Sequence, residues 1–171
     1  MPGFEWLRGF LAQSLISYSD SEMMIDPPRL AADRMLARLA RWLRLLGADV
    51  LYDASMNGNE LLQVARKDHR RMLTRDKRFR TALDVIVLRG NDFRGQLREV
   101  LARVPIDSRL AFTRCSRCNL VLESVPREVV QRRVPPFVYA SCEQFAQCAG
   151  CARVYWAASH HDHITRELQC V

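Results

Sequence analysis

Apolar positions recur along this chain in two rhythms, and each predicts a kind of element. Between Arg34 and Leu46 the rhythm is helical: Leu36, Leu39, Ala40, Leu43 and Leu46 form one stripe, and Gly47 supplies the stop. Shorter apolar runs at Arg29–Asp33, Asp49–Tyr52, Met72–Thr74 and Val85–Leu88 predict strands. Asn59 is the expected N-cap of a helix through Ala65, with Leu61, Leu62 and Val64 inward. Asp92 is expected to cap another, with Leu97, Val100, Leu101 and Val104 inward, and Pro105 closes the segment. Strands alternating with helices predict an α/β layer with a mostly parallel sheet flanked by helices. Met1 to Pro28 has rough helical spacing at Trp6, Leu7, Phe10, Leu11 and Leu15, and is left as an unassigned extension.

After Pro105 the cysteines take over the argument. Cys115-Ser116-Arg117-Cys118 and Cys148-Ala149-Gly150-Cys151 are two CxxC turns, each able to aim both sulfurs at one point. Together they make a tetrahedral thiolate set suited to structural Zn²⁺. The insert between them (residues 119–147) exceeds the commonest finger spacing, but a ribbon whose hairpins carry the ligands permits it. Phe112-Thr113-Arg114 leads into the first turn, and Val154-Tyr155-Trp156 leaves the second as an expected strand. The alternatives are coincidental pairs or a redox dithiol. Cys142 and Cys170 fall outside the pattern and read as unligated thiols. Thiolates kept for metal imply a reducing compartment, and no signal peptide or membrane-spanning run is visible, so a cytoplasmic location is expected.

The formal charge is +7 and the pI about 9.5, which favours a polyanionic partner such as RNA. All of the basic residues except Lys67 and Lys77 are Arg. Arg binds phosphate through a planar fork, although a GC-rich genome would produce the same bias. Arg34, Arg38, Arg41 and Arg44 form a row along the first helix. They could hold a phosphate backbone, or simply be the helix's solvated face. Trp42 interrupts the row and reads as a partly buried packing residue more than a base platform.

Asp33 and Asp76 are expected at the carboxyl ends of two strands, and Glu60 opens a helix crossing the same edge. Three carboxylates converging there would call for a hard cation, Mg²⁺ or Mn²⁺, as in a metal-dependent nuclease. Each acid could equally cap a helix or start a turn. No Gly-rich phosphate loop or Gly-x-Ser-x-Gly elbow is present.

Asp33-Arg34-Met35-Leu36 with Leu39-Ala40-Arg41-Trp42-Leu43-Arg44-Leu45-Leu46-Gly47 resembles the opening of the Mut-seven C-terminal RNase domain, a PIN-like family in which a nuclease fold precedes a zinc ribbon. Glu60-Leu61-Leu62 with Ala65, and Leu73-Thr74-Arg75-Asp76, resemble its next blocks. Phe112 through Asn119, Val134-Pro135-Pro136, Cys148 through Trp156, and Ser159-His160 resemble its ribbon. The likeness runs from about Leu30 to Ile164. It implies a compact PIN-like domain at 29–105, a small β-rich zinc ribbon at 109–158 and a tail at 159–171. It also implies Asp33 and Asp76 as the principal metal-binding acids, and Glu60 as a third.

Two departures stand out. Asn57, Gly58 and Asn59 precede Glu60 where the family tends to have acids, and Lys77, Arg78 and Phe79 stand where many PIN nucleases have a fourth acid. Asp84 and Asp92 are candidate substitutes that read more simply as turn or cap residues. The sparse acid set keeps a second reading open, a non-catalytic RNA- or ribosome-binding adaptor on the same fold. His160-His161-Asp162-His163 reads as a polar tail, since consecutive histidines cannot all reach one ion from a regular element.

Overall fold

The computed structural model describes residues 26–156. The extension before them, the His160–His163 run, Ser159 and Cys170 lie outside the described residues. The described residues divide into two units at Asn119/Leu120.

The first unit is built on four parallel strands: β1 (Arg29–Ala32), β2 (Asp49–Tyr52), β3 (Arg71–Thr74) and β4 (Val85–Val87). Their order in the sheet is β2-β1-β3-β4. Strand β1 buries Leu30, Ala31 and Ala32, and β3 buries Met72, Leu73 and Thr74. That continuous burial is what a sheet covered on both faces requires.

Three helices flank it: α1 (Ala37–Leu45), α2 (Gly58–Lys67) and α3 (Phe93–Leu101). Leu61 and Ala65 of α2 pack with Ala31 and Met72 on one face. The pleat turns Leu30, Ala32 and Leu73 to the other, where α1 contacts β1 and β2 and packs against α3. All five predicted stripe residues, Leu36, Leu39, Ala40, Leu43 and Leu46, are buried. Gly47 ends α1 at φ +96°, and the Gly47 and Ala48 amides donate to the carbonyls of Arg44 and Leu43 at 3.0 and 2.9 Å. That is a Schellman ending.

Two helix starts differ from expectation. The helix expected from Arg34 opens as a 3₁₀ turn over Arg34–Leu36, and α-geometry begins only at Ala37. Asp33 gives that turn no side-chain cap, so the Leu36 amide is satisfied instead by the Asp33 carbonyl at 2.8 Å. The second helix is capped by Asn57, not Asn59. Asn57 sits three residues before Glu60, the separation at which side chain and backbone can satisfy each other reciprocally.

The second unit carries an antiparallel sheet of β5 (Leu122–Val125), β6 (Phe145–Cys148) and β7 (Val154–Trp156) in that order. Two short helices, α4 (Arg127–Val130) and α5 (Pro136–Ser141), occupy the long connection from β5 to β6 and account for the wide spacing of the CxxC turns. Their Val130, Val138 and the intervening Val134 pack on Phe145, with Val125, Cys142, Val154 and Trp156 around them. The chain is therefore an α/β unit followed by a small β-rich module, as expected.

Candidate active site and metal centre

The chain leaves β1 for β2 on one side and later returns to β3 on the other, so the sheet order reverses between β1 and β3. Open α/β sheets bind ligands beyond the carboxyl ends of their strands at such a switch point. Asp33 follows β1 there, and Thr74-Arg75-Asp76 ends and follows β3.

One hydroxyl ties these residues together. Thr74 is fully buried, and its Oγ1 donates to Asp33 Oδ2 at 2.6 Å and accepts the Asp76 backbone N–H at 3.1 Å. A hydroxyl has one donor and two lone pairs, so both bonds are compatible. Asp33 is only 6% exposed, and its amide donates to the Leu73 carbonyl at 3.0 Å. Its carboxylate caps nothing. Thr74 is its protein donor, which leaves Oδ1 open to a ligand. The importance of Thr74 was accessible only as part of a Thr-x-Asp string; its role as a bridge depends on β1 and β3 being neighbours.

Asp76 is half-buried and differently occupied. It accepts the Arg78 amide at 2.9 Å, and the Arg78 guanidinium grips both of its oxygens at 2.6 to 3.1 Å. The Arg78 contact holds the Asp76 carboxyl below the usual carboxylate range. Arg78 itself is exposed.

Glu60 is drawn into the capping box: its Oε2 accepts the Asn57 amide at 2.8 Å, while Asn57 Oδ1 accepts the Asn59 and Glu60 amides. The structure thus joins Asp33 to Asp76 through Thr74 and commits one oxygen of Glu60 to its own helix start. Asp92 caps α3 through the Gly95 amide, and Asp84 pairs with Arg66 at 2.7 Å, as turn and cap residues do.

The arginine row breaks at its last member. Arg34, Arg38 and Arg41 are exposed, but Arg44 is 5% exposed. Its guanidinium donates to the carbonyls of Val50 at 2.8 and 3.0 Å, Arg117 at 2.7 Å and Ser116 at 3.3 Å. Burial lowers its pKa, and the charges of Cys115, Cys118 and Asp49 oppose the shift. Expected as a phosphate ligand, Arg44 is instead an internal brace, because each of its three guanidinium nitrogens donates to a backbone carbonyl. Arg38 lies 4.5 Å from the centre of the Phe93 ring, and Trp42 packs on that ring at 5.2 Å, so Trp42 is a packing residue as anticipated. Beside them an open groove of about 510 Å³ is lined by Ala37, Arg38, Arg41, Trp42, Leu45 and Ser116.

The four cysteine sulfurs, Cys115, Cys118, Cys148 and Cys151, all lie within 4.8 Å of one another. Tetrahedral Zn–S bonds of about 2.3 Å would separate sulfurs by about 3.8 Å, so the set fits zinc with little adjustment. Cys115 and Cys148 are buried. Both turns are built alike: the residue after the second cysteine is left-handed (Asn119 φ 68°, Ala152 φ 55°) and returns its amide to the first cysteine's carbonyl at 2.9 Å. Among the described residues no other group of three or more Cys, His, Asp or Glu converges in this way. No helix of the described residues is long and apolar enough to cross a membrane.

Fold and site thus define a class: a parallel α/β unit and a C-terminal antiparallel sheet, with a four-cysteine cluster of zinc-ribbon type. The chain belongs to the Mut7-C RNAse domain family, whose model matches residues 28–168. That membership suggests a ribonuclease. No curated protein and no solved structure matches the chain.

Proposed function

We propose that this protein is a metal-dependent ribonuclease, with a PIN-like nuclease domain at residues 29–105, a zinc ribbon at 109–158, an extension before the first and a short tail after the second. The observation that carries the reading is Asp33: a buried carboxylate at the switch point that caps no helix and, among the described residues, is met by a single side-chain donor. A buried anion needs compensation, and a hard cation supplies it. Mg²⁺ takes one or two carboxylates and completes its shell with water and substrate phosphate, so Asp33 and Asp76 suffice as donors. Glu60 does not converge with them in this structure and would join as a third only on leaving its capping box. Bound there, Mg²⁺ or Mn²⁺ would lower the pKa of a water and neutralise charge on the scissile phosphate.

The chain's own contributions are positional. Thr74 holds Asp33 Oδ2 and the Asp76 backbone in one register. Arg78 exchanges Asp76 for a substrate phosphate when RNA arrives. Arg34, Arg38 and Arg41 bind the phosphate backbone along α1 and the groove beside it. Zn²⁺ on the four cysteines folds the ribbon and takes no part in chemistry, contributing on the order of ten kcal/mol. We place the protein in the reducing cytoplasm, where such thiolates persist.

The test is cleavage of end-labelled single-stranded and structured RNAs by zinc-loaded protein with Mn²⁺, Mg²⁺ or neither, beside Asp33→Asn and Asp76→Asn. Metal-dependent cutting lost in both variants is the expected result. Cutting that survives both substitutions would overturn the site. The capped Glu60 and the Arg78-held Asp76 favour the second reading, an RNA- or ribosome-binding adaptor. Tight, salt-sensitive binding without cutting would select it.

A further inference from the structure

Strand β2 is an edge of the parallel sheet, so its outward backbone groups have no strand to pair with. At Val50 both are nevertheless satisfied. The Val50 N–H donates to Asn119 Oδ1 at 3.0 Å, and its carbonyl accepts two bonds from Arg44 at 2.8 and 3.0 Å. The same Arg44 reaches the Ser116 and Arg117 carbonyls inside the first CxxC turn, and Asn119 Nδ2 donates to Asp49 Oδ1 at 2.6 Å. Asp49 is in turn held by Arg70 at 2.8 Å. Within the turn, the Asn119 amide returns to the Cys115 carbonyl and the Cys118 amide donates to Cys115 Sγ at 3.3 Å. Every one of these bonds lies in the first unit and joins protein atoms to protein atoms.

We infer that the α/β unit pre-forms one half of the metal centre: Arg44 and Asn119 clamp the Cys115–Cys118 turn onto the outer edge of β2, so that zinc meets two thiols already in position. Arg44 is then a positioning residue of the zinc centre. Outer partners that orient ligands in this way typically carry ten- to a hundred-fold in metal affinity. A Lys could replace it only in part. One ammonium is a compact point charge, whereas the guanidinium fork bridges Val50 on one side and the turn on the other. The inference rests on the zinc reading of the cysteines and is independent of nuclease activity.

Two measurements on the full chain test it. The first is hydrogen exchange at the Val50 and Asn119 amides before and after zinc is stripped by a chelator. Protection that persists without zinc is expected; loss at both sites would mean that the metal builds the turn and would overturn the inference. The second is zinc affinity by chelator competition, with the thiolate charge-transfer spectrum of bound Co²⁺, in Arg44→Met, Arg44→Lys and Asn119→Gly. Asn119→Gly suits the positive φ and so removes the side-chain clamp alone.

A ten- to a hundred-fold weaker affinity in Arg44→Met, partial recovery in Arg44→Lys, a several-fold loss in Asn119→Gly and a shifted Co²⁺ spectrum are expected. Folded variants with unchanged affinity and spectrum would overturn the assignment. If Arg44→Met does not fold, Asn119→Gly and the exchange measurement decide it. Wild-type protein that binds neither metal would reject the zinc reading, while exchange would still decide whether the turn is pre-formed.

Discussion

Four aspartates, Asp33, Asp76, Asp92 and Asp107, stand at the N-cap of a helical turn among the described residues, and three of them accept a backbone N–H from that turn. Asp33 does not. Its carboxylate is turned to Thr74 instead. Thr74 therefore holds more of the site than its size suggests. Thr74→Val would leave the buried Asp33 Oδ2 without its donor and the Asp76 amide without its acceptor. A cost of about 1–3 kcal/mol is expected from such orphaned groups. Urea titration would read it, with a concurrent loss of cleavage; Thr74→Ser, which keeps the hydroxyl, should retain activity. A Thr74→Val protein as stable and active as wild type would remove the bridge from the account. Gly47 makes a second case at this scale. A Cβ there would come within 2.3 Å of the Leu110 carbonyl at a φ of +96°. Gly47→Ala should therefore lower the unfolding free energy, read by urea titration, by more than the roughly 1–2 kcal/mol that the left-handed backbone alone costs.

At the scale of elements, β2 shows how charge secures an edge strand. Burial pushes the Asp49 carboxyl up, but hydrogen bonds from Arg70 and Asn119, with the charges of Arg70 and Arg114, outweigh it and hold the group below its ordinary 3.8. A carboxyl depressed in the folded state binds protons more readily when unfolded. Its stabilisation is therefore present above the ordinary value and lost as pH falls through the folded one. Asp49→Asn should unfold more easily at neutral pH and lose less stability than wild type on descending below about pH 4. Parallel urea midpoints across that range would check it, and identical slopes would sink it.

The elements themselves were legible in proportion to how local their causes are. The α1 stripe and Gly47 announce that helix because burial and C-cap geometry repeat within a few residues. Its start was not legible, since what occupies Asp33 lies 41 residues away. Arg44 has the same spacing as its exposed neighbours. What distinguishes it is the Val50 carbonyl together with carbonyls 72 and 73 positions later. Strands β5 and β6 and the two short helices between them carry too little periodicity to be read, and their core assembles across the whole insert. The capping box was readable from the separation of Asn57 and Glu60, but Asn59 competed for the same role.

For the molecule as a whole, a formal charge of +7 sets the sign of the partner but not the face that meets it. The row on α1 allows that face to be tested, now as three arginines. Each phosphate neutralised on a single strand releases counterions, so the logarithm of affinity falls with the logarithm of salt by about 0.7 per contact. Converting Arg34, Arg38 and Arg41 to Gln should weaken binding of single-stranded RNA and flatten that dependence by about 2. Arg66 serves as the control, because it is exposed yet already paired with Asp84. Arg66→Gln removes one surface charge, a third of what the triple variant loses, and should leave the slope within a few tenths of wild type. Polarisation titrations of a labelled single strand over a range of salt would measure both. A flattening shared equally by the control would mean that only net charge matters, and an unchanged slope in the triple variant would take RNA off α1 altogether. A selective loss in the triple variant would instead fix the path of the strand along α1 toward Asp33, the residue that immediately precedes its first turn.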